Sequence, residues 1–323
     1  MEKRDVRIIF MGTPTFAVTQ LNALLEENYN VVAVVTAPDK PAGRGMQLVS
    51  SEVKKFAISR SIPVLQPTSL KNESFLAELS SYKADLFVVV AFRMLPKEVW
   101  AMPRLGTFNL HASLLPDYRG AAPINHVIIN GETVTGVTTF MLDEKIDNGA
   151  ILHRQECPIS PEDNFGTLHD KLMHIGKELI IKSIEEIISG SIKPVPQSLI
   201  VKDIATLHTA PKITKEMCKI DWNMAPEKIH NLVRGLSPYP GAYSTLSGKG
   251  KEIPVKIFKT EFVNENHRLS MGTILTDKKE EFKVACKEGS IKIIELQIAG
   301  KRKMSVKDFL AGFRDLNLYT FIQ

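Results

Sequence analysis

The chain has 323 residues, of which 44% are hydrophobic and 24% charged, and its formal net charge is +5. This composition is typical of a folded globular protein and excludes disordered, collagen-like and coiled-coil chains. The length predicts two domains, because single hydrophobic cores stop growing at about 250–300 residues. The longest apolar stretch, residues 86–92, is far below the roughly 18 residues of a membrane span, so we expect no membrane anchor. We also expect no secretion signal, because the chain begins directly with a strand pattern.

The first half of the chain alternates apolar runs of strand length with amphipathic segments of helical spacing. The predicted strands are residues 6–11, 31–36, 85–92, 108–111 and 136–141. The predicted helices are residues 16–27, 51–60, 72–79, 121–130 and 167–188. This alternation is typical of βαβ units, so we expect an α/β fold with a doubly wound, mostly parallel, Rossmann-like sheet.

The pattern changes near Gly190, where the sequence ISGSIKPVPQ cannot continue a helix. We therefore predict a first domain at residues 1–189, a linker at 190–207 and a second domain at 208–323. Short strand patterns separated by turns predict a small antiparallel barrel or sandwich in the second domain, and we favour an OB-like β-barrel. These strand patterns are residues 255–258, 273–275, 282–285 and 291–296.

Charge is divided unevenly between the two halves. Residues 1–207 hold 21 basic and 23 acidic side chains, and residues 208–323 hold 20 and 13, so the halves carry −2 and +7. A domain that contacts a polyanion would have this asymmetry, and so would a basic solvated surface. The three cysteines have no CxxC spacing and the eight histidines include no HExxH, so we expect neither disulfides nor a metal site.

Two segments near the N-terminus are candidates for binding. The turn FMGTP after the first strand has one glycine where a dinucleotide fingerprint needs three, which argues against a nicotinamide or flavin cofactor. The insert at residues 36–51 is longer than the usual connection of about 2–6 residues. Lys40, Gly43 and Arg44 combine positive charge with accessible backbone there, so the insert is either a phosphate-contacting device or a surface loop.

The densest signal is the segment FNLHASLLPDYRGAAPI, residues 108–124. Asn109 and His111 are two apart on a strand, so their side chains share one face at its carboxyl end, where doubly wound sheets bind ligands. Further along, Asp143 and Asp147 follow another strand. Either aspartate could be a turn residue, and Asp147 could instead orient an imidazole.

Together these segments resemble the formyltransferase family that uses 10-formyltetrahydrofolate. The resemblance rests on FMGTP, PDKPAGRG, the 108–124 block and the DNG at residues 147–149. The stretches KITKEMCKIDWNMAP and RGLSPYPGAY in the second half resemble the branch of the family that formylates the methionyl group on initiator tRNA. Small glycinamide ribonucleotide formyltransferases lack this second domain.

The resemblance implies transfer of a formyl group from 10-formyltetrahydrofolate to the α-amino group of initiator methionyl-tRNA, for translation initiation. It implies a cytoplasmic enzyme that needs no metal, and we expect a monomer. The implied residues are Asn109, His111 and Asp147 for catalysis, Ser113, Leu114, Leu115 and Pro116 for the folate, and Lys40, Gly43 and Arg44 for tRNA.

The sequence departs from the family pattern at two places. Phe92 and Arg93 replace a tyrosine and a glycine, and IDNGA replaces the usual DTGD.

Two other functions stay open. One alternative is a formyltransferase for an amino-sugar nucleotide, which shares the catalytic block and a barrel-like tail but needs no Arg44 insert. The other is an RNA-binding protein with an inert catalytic domain, which could have lost the three catalytic residues.

Overall fold

The structure is a computed structural model that describes residues 2–42, 47–201, 204–313 and 315–322. The strands are β1 (Arg7–Gly12), β2 (Asn30–Val35), β3 (Lys40–Ala42), β4 (Gln47–Val49), β5 (Val64–Leu65), β6 (Leu86–Val90), β7 (Thr107–His111), β8 (Arg119–Gly120), β9 (Val134–Met141), β10 (Ile151–Pro158), β11 (Thr209–Ala210), β12 (Ala242–Gly248), β13 (Lys251–Asn264), β14 (Ile274–Thr276), β15 (Phe282–Cys286), β16 (Gly289–Ile298), β17 (Met304–Ser305) and β18 (Thr320–Ile322). The helices are α1 (Thr15–Glu26), α2 (Glu52–Ser59), α3 (Glu73–Ser81), α4 (Lys97–Trp100), α5 (Pro123–Ile129), α6 (Phe165–Ser189), α7 (Pro226–Gly235) and α8 (Val306–Gly312). Short 3₁₀ turns occupy Gln197–Leu199, Ile204–Thr206, Glu216–Cys218 and Leu316–Leu318.

A seven-stranded, mostly parallel sheet confirms the α/β prediction. Its order is β10-β9-β7-β6-β1-β2-β5, with β7 through β5 parallel and with β9 and β10 antiparallel. The chain fills one side of β1 first and then the other, so the strand order reverses at β1. Ligands of such sheets bind outside the carboxyl ends of the strands near this reversal.

Both faces of the sheet are buried, which explains the continuous apolar runs in its central strands. On one face, Ile9, Met11 and Phe87 pack with side chains of α3 and α4. The alternate residues Ile8 and Phe10 are fully buried as well. The central strands therefore form the packed core from which the loops at their ends extend.

The chain separates into two compact units. One comprises the described residues of Met1–Gly120, Val134–Pro158 and His169–Thr209, and the other those of Ala121–Thr133, Ile159–Leu168 and Ala210–Gln323. Helix α5 was expected in the first domain, but it belongs to the second unit, where the Asn125 side chain donates to the Gly235 carbonyl across 2.8 Å. The predicted linker boundaries at 190–207 stay a prediction.

The second unit contains a nearly closed antiparallel sheet, which agrees with the predicted barrel. Its order is β14-β15-β16-β13-β12-β18, and a bridge between Thr273 and Thr320 joins the two ends. The core includes the fully buried Trp222, whose Nε1 donates to the Ser244 hydroxyl across 3.0 Å. Among the described residues, no helix combines the length and the apolar character that crossing a membrane requires.

The long insert is a hairpin at its base instead of an irregular loop. Strands β3 and β4 pair antiparallel, with Lys40 opposite Val49. Asp39 anchors the base by accepting from Lys54 (2.6 Å) and Gln66 (2.8 Å), and the Lys54 ammonium lowers the pKa of the Asp39 carboxyl. Lys40 is exposed, whereas Gly43 and Arg44 lie outside the described residues. The hairpin base is therefore tied to α2 and to the segment after β5.

Candidate active site

His111 occupies the last position of β7, and the residue is 6% exposed. Its Nε2 lies 2.9 Å from the carbonyl oxygen of Tyr118, and its Nδ1 lies 3.9 Å from Oδ2 of Asp147. A carbonyl only accepts, so Nε2 carries a proton and Nδ1 is the nitrogen that faces the carboxylate. The 3.9 Å separation exceeds a hydrogen bond, so a small closure or one water must intervene before a proton passes between them.

Asp147 lies in the turn between β9 and β10, and its carboxylate faces the His111 ring. Its φ of +48° is in the left-handed region, which aspartate tolerates better than most residues. Its Oδ2 accepts from the backbone N–H of Gly120 across 2.9 Å. The carboxylate is therefore held facing the His111 ring.

Gly149 closes this turn against β9. A Cβ built at Gly149 would lie 1.7 Å from the carbonyl oxygen of Met141, which leaves room for no other residue. The need for glycine here is steric, because the backbone itself occupies the space.

Gly149→Ala is expected to lower the free energy of unfolding by about 1–3 kcal/mol, because the new methyl group displaces backbone atoms. Chemical denaturation measures the change. Gly312→Ala is the matched control, since a Cβ at Gly312 meets no atom within 4 Å, and its expected effect is neutral or stabilising. Equal stability of the Gly149 variant and the wild type would contradict the turn geometry.

Asn109 lies two residues before His111 on β7 and shares its face. Its Oδ1 is buried and has no hydrogen-bond partner among the described residues. An unsatisfied buried polar atom costs about 1–3 kcal/mol, so native proteins rarely keep one without a reason. The carboxamide is thus available to a bound molecule, and either end of the amide can turn toward it.

The predicted folate turn, residues 113–116, is tied down by Thr138. The Thr138 hydroxyl donates to the Ser113 carbonyl (2.7 Å) and accepts from the Leu115 N–H (3.1 Å). The Ser113 hydroxyl donates to the Asp117 carbonyl (2.7 Å). Ser113, Leu115 and Pro116 are buried, so contact with a ligand at this turn falls mainly to the half-buried Leu114.

Sequence reasoning missed Gln197, which lies inside the predicted linker. Its Nε2 donates to the carbonyls of Asp147 (3.0 Å) and Gly149 (2.9 Å). Its Oε1 accepts from Nε (3.1 Å) and Nη2 (2.5 Å) of Arg119. The only signal in the sequence was the RG at residues 119–120 inside the motif block, to which no role was assigned.

The unusual Arg93 has a structural role. Its guanidinium donates to the carbonyls of Pro67 and Thr68 and lies 5.6 Å from the centre of the Phe92 ring. Partial burial lowers the pKa of Arg93. This side chain joins the segment after β6 to the segment after β5.

No group of three or more His, Cys, Asp or Glu side chains suited to a metal ion occurs in the described part of the chain.

Two family models and a curated relative match nearly the whole chain. The model of the formyl transferase family matches residues 6–184, and that of the formyl transferase C-terminal domain matches residues 212–314. A methionyl-tRNA formyltransferase of Parabacteroides distasonis is 51% identical over 322 residues, which cover 99% of each chain.

Two solved structures share the fold at low identity. HypX from Aquifex aeolicus in complex with tetrahydrofolic acid has a TM-score of 0.62 at 21% identity, covering 95% of this chain and 47% of that one. An N-formyltransferase from Helicobacter canadensis, in complex with folinic acid and dTDP-3-aminofucose, has a TM-score of 0.62 at 20% identity, covering 93% and 100%. Both domain models match this chain, and the Parabacteroides distasonis enzyme is 51% identical to it over nearly its whole length. The chain therefore belongs to the formyl transferase family.

Proposed function

We propose that this protein transfers the formyl group of 10-formyltetrahydrofolate to the α-amino group of methionyl-initiator-tRNA, producing N-formylmethionyl-tRNA for translation initiation. The observation that carries the proposal is the 51% identity to a methionyl-tRNA formyltransferase over nearly the whole of both chains. Transfer of labelled formyl from 10-formyltetrahydrofolate to charged initiator tRNA tests it.

Asn109 and His111 are proposed to stabilise the charge that develops on the formyl oxygen. Attack by an amine on a formyl carbon places negative charge on that oxygen, and donors already in place lower the barrier without reorganising. The amide of Asn109 supplies one donor. His111 supplies the other from Nδ1 when that nitrogen is protonated, because Nε2 is committed to the Tyr118 carbonyl.

Asp147 is proposed to hold and move protons. It faces the same His111 nitrogen that would donate to the oxygen, so its carboxylate can stabilise the imidazolium. It can also take a proton from the attacking amine, directly or through a water, and return it to the leaving nitrogen. The unperturbed α-amino group has a pKa of about 7.7–8.0, so a neutral fraction is available near physiological pH.

The 10-formyltetrahydrofolate is proposed to bind beside the turn at residues 113–116. The partnerless Oδ1 of Asn109 and the half-buried Leu114 support this location, since one offers an unmatched polar atom and the other an apolar contact. When bound, this donor supplies the one-carbon unit. Thr138 is proposed to support the site by fixing the turn through Ser113 and Leu115.

The tRNA is proposed to contact the hairpin insert through Lys40, Gly43 and Arg44, and the second domain through its excess of positive charge. The exposed Leu48 (72%) and Val49 (47%) on β4 lie beside Lys40 in the hairpin pairing and offer apolar surface to unpaired bases. Phosphate contacts from the second domain, with a net charge of +7, would be tolerant of sequence. Selection of the initiator would come from its weak first acceptor pair, which costs less to open.

Arg44→Ala is expected to lower the preference for initiator over elongator methionyl-tRNA about tenfold, equivalent to about 1.4 kcal/mol. The ratio of kcat/KM for the two acceptors measures it. Arg60→Ala is the matched control, because Arg60 is an exposed cation of the same unit and its removal should leave the ratio unchanged. An unchanged ratio in the Arg44 variant would refute this role for the insert.

The main alternative acceptor is an amino-sugar nucleotide. It is favoured by the fold shared with the Helicobacter canadensis enzyme bound to dTDP-3-aminofucose, but at 20% identity that likeness concerns the fold alone. An inert RNA-binding protein is disfavoured, because Asn109 and His111 share one face of β7 and the Asp147 carboxylate faces the His111 ring. We further propose a monomer in the cytoplasm, where initiator tRNA is charged and used.

A further inference from the structure

We propose that Gln197 is a positioning residue for the transfer reaction, which holds the Asp147 turn so that the carboxylate stays directed at His111. This inference rests on the catalytic role proposed for Asp147. It assigns a function to a side chain 50 residues further along the chain, in a segment that the sequence suggested was only a linker.

Both polar atoms of the Gln197 side chain are fully hydrogen-bonded, and we call these four hydrogen bonds the clamp. Its two amide hydrogens reach the carbonyls of Asp147 and Gly149, and its oxygen accepts two hydrogen bonds from Arg119. The residue is 4% exposed, so water does not compete for these bonds. A fully satisfied buried network of this kind specifies one arrangement of the groups it joins.

The clamped turn needs external support. Asp147 has a φ of +48°, a conformation that costs energy for any residue with a Cβ, and Gly149 lies directly against the Met141 carbonyl. The bonds from Gln197 end on the carbonyls of these same two residues. Without them, the Asp147 backbone is free to relax toward a more favourable φ, and its side chain would move with it.

The other end of the clamp is tied to the same catalytic groups. Residues 118–120 provide the carbonyl bonded to His111, the guanidinium bonded to Gln197 and the N–H bonded to the Asp147 carboxylate. Gln197 therefore connects the backbone of Asp147 to the segment that holds both His111 and the Asp147 side chain. A shift at Gln197 therefore changes the 3.9 Å separation between Oδ2 of Asp147 and Nδ1 of His111.

Gln197→Ala and Gln197→Glu test the inference, with 10-formyltetrahydrofolate and charged initiator tRNA as substrates. Both are expected to lower kcat about 10- to 100-fold, as removal of supporting contacts does at other sites, with each KM within about twofold. The glutamate keeps the acceptor for Arg119 and loses both donors to the turn. It therefore tests the clamp even if the alanine variant is poorly folded.

The double variant Gln197→Ala/Asp147→Asn separates positioning from a general structural role. If Gln197 acts through Asp147, adding Gln197→Ala to Asp147→Asn lowers kcat less than about threefold further. Losses that multiply in the double variant would overturn the inference. Gln20→Ala is the matched control, a buried glutamine that donates to the Met173 carbonyl across 2.8 Å; we expect a lower Tm and an unchanged kcat.

The two proposals fail in distinguishable ways. If Asp147→Asn is inactive while both Gln197 variants retain full kcat, the role of Gln197 is overturned and the catalytic role of Asp147 stands. If Asp147→Asn retains full kcat, the catalytic proposal is overturned, and the positioning role falls with it.

Discussion

Replacing Asp147 with asparagine is expected to lower kcat for formyl transfer about 100- to 10,000-fold, the range of general acid–base catalysis. The amide is the same size as the carboxylate, and its oxygen can still accept from the Gly120 N–H. It cannot take up the proton of the attacking amine or stabilise a protonated His111. The loss is therefore chemical, and the affinity for tRNA should stay within about twofold.

Rapid-quench measurement of a single turnover gives the rate of the chemical step, and filter binding gives the tRNA affinity. Asp143→Asn is the matched control, because the exposed Asp143 lies on the same loop and its Oδ1 accepts from the Lys145 N–H across 2.8 Å. We expect this control to keep its rate. A rate for Asp147→Asn that matches the control would contradict the catalytic role.

Asn109→Leu is expected to reduce kcat about 100- to 1,000-fold, the usual loss when one donor to a developing oxyanion is removed. The stability of the protein should not fall with its activity. The variant removes a buried oxygen that has no partner in the described chain, so the free energy of unfolding should be unchanged or higher by up to about 1–3 kcal/mol. A less active but equally or more stable protein is the combination expected of a functional residue.

Asn125→Leu provides the contrast for stability. The Asn125 side chain is buried and donates to the Gly235 carbonyl across 2.8 Å, so its loss leaves that carbonyl unpaired and should destabilise the protein. Denaturant unfolding of the two variants, together with their rates, checks the prediction. If Asn109→Leu proves destabilised and fully active, Asn109 is a structural residue.

Much of the fold was predictable from local patterns, and so was part of the site. Strand periodicity alone placed Asn109 and His111 on one face at the end of β7, and the buried sheet agrees with the apolar runs. The role of Asp147 came from the family resemblance, because a DNG turn has no distinctive pattern. Periodicity does not tell which way a turn directs its carboxylate.

The features that sequence reasoning missed depend on long-range contacts. Gln197 follows two prolines and resembles linker sequence, and its role depends on a turn 50 residues earlier. The pattern of α5 identified a helix but not its packing partner in the second unit. Strand β10 escaped prediction because its central residues, Arg154, Gln155 and Glu156, are polar or charged and are exposed at the sheet edge.

The most direct test of the account is a single-turnover transfer of labelled formyl from 10-formyltetrahydrofolate, with three acceptors in parallel: charged initiator methionyl-tRNA, charged elongator methionyl-tRNA and an amino-sugar nucleotide. We expect rapid labelling of the initiator alone. Labelling of the sugar nucleotide alone would support formyl transfer but contradict initiator methionyl-tRNA as the acceptor. Binding of tRNA without transfer to any of the three would contradict the catalytic function.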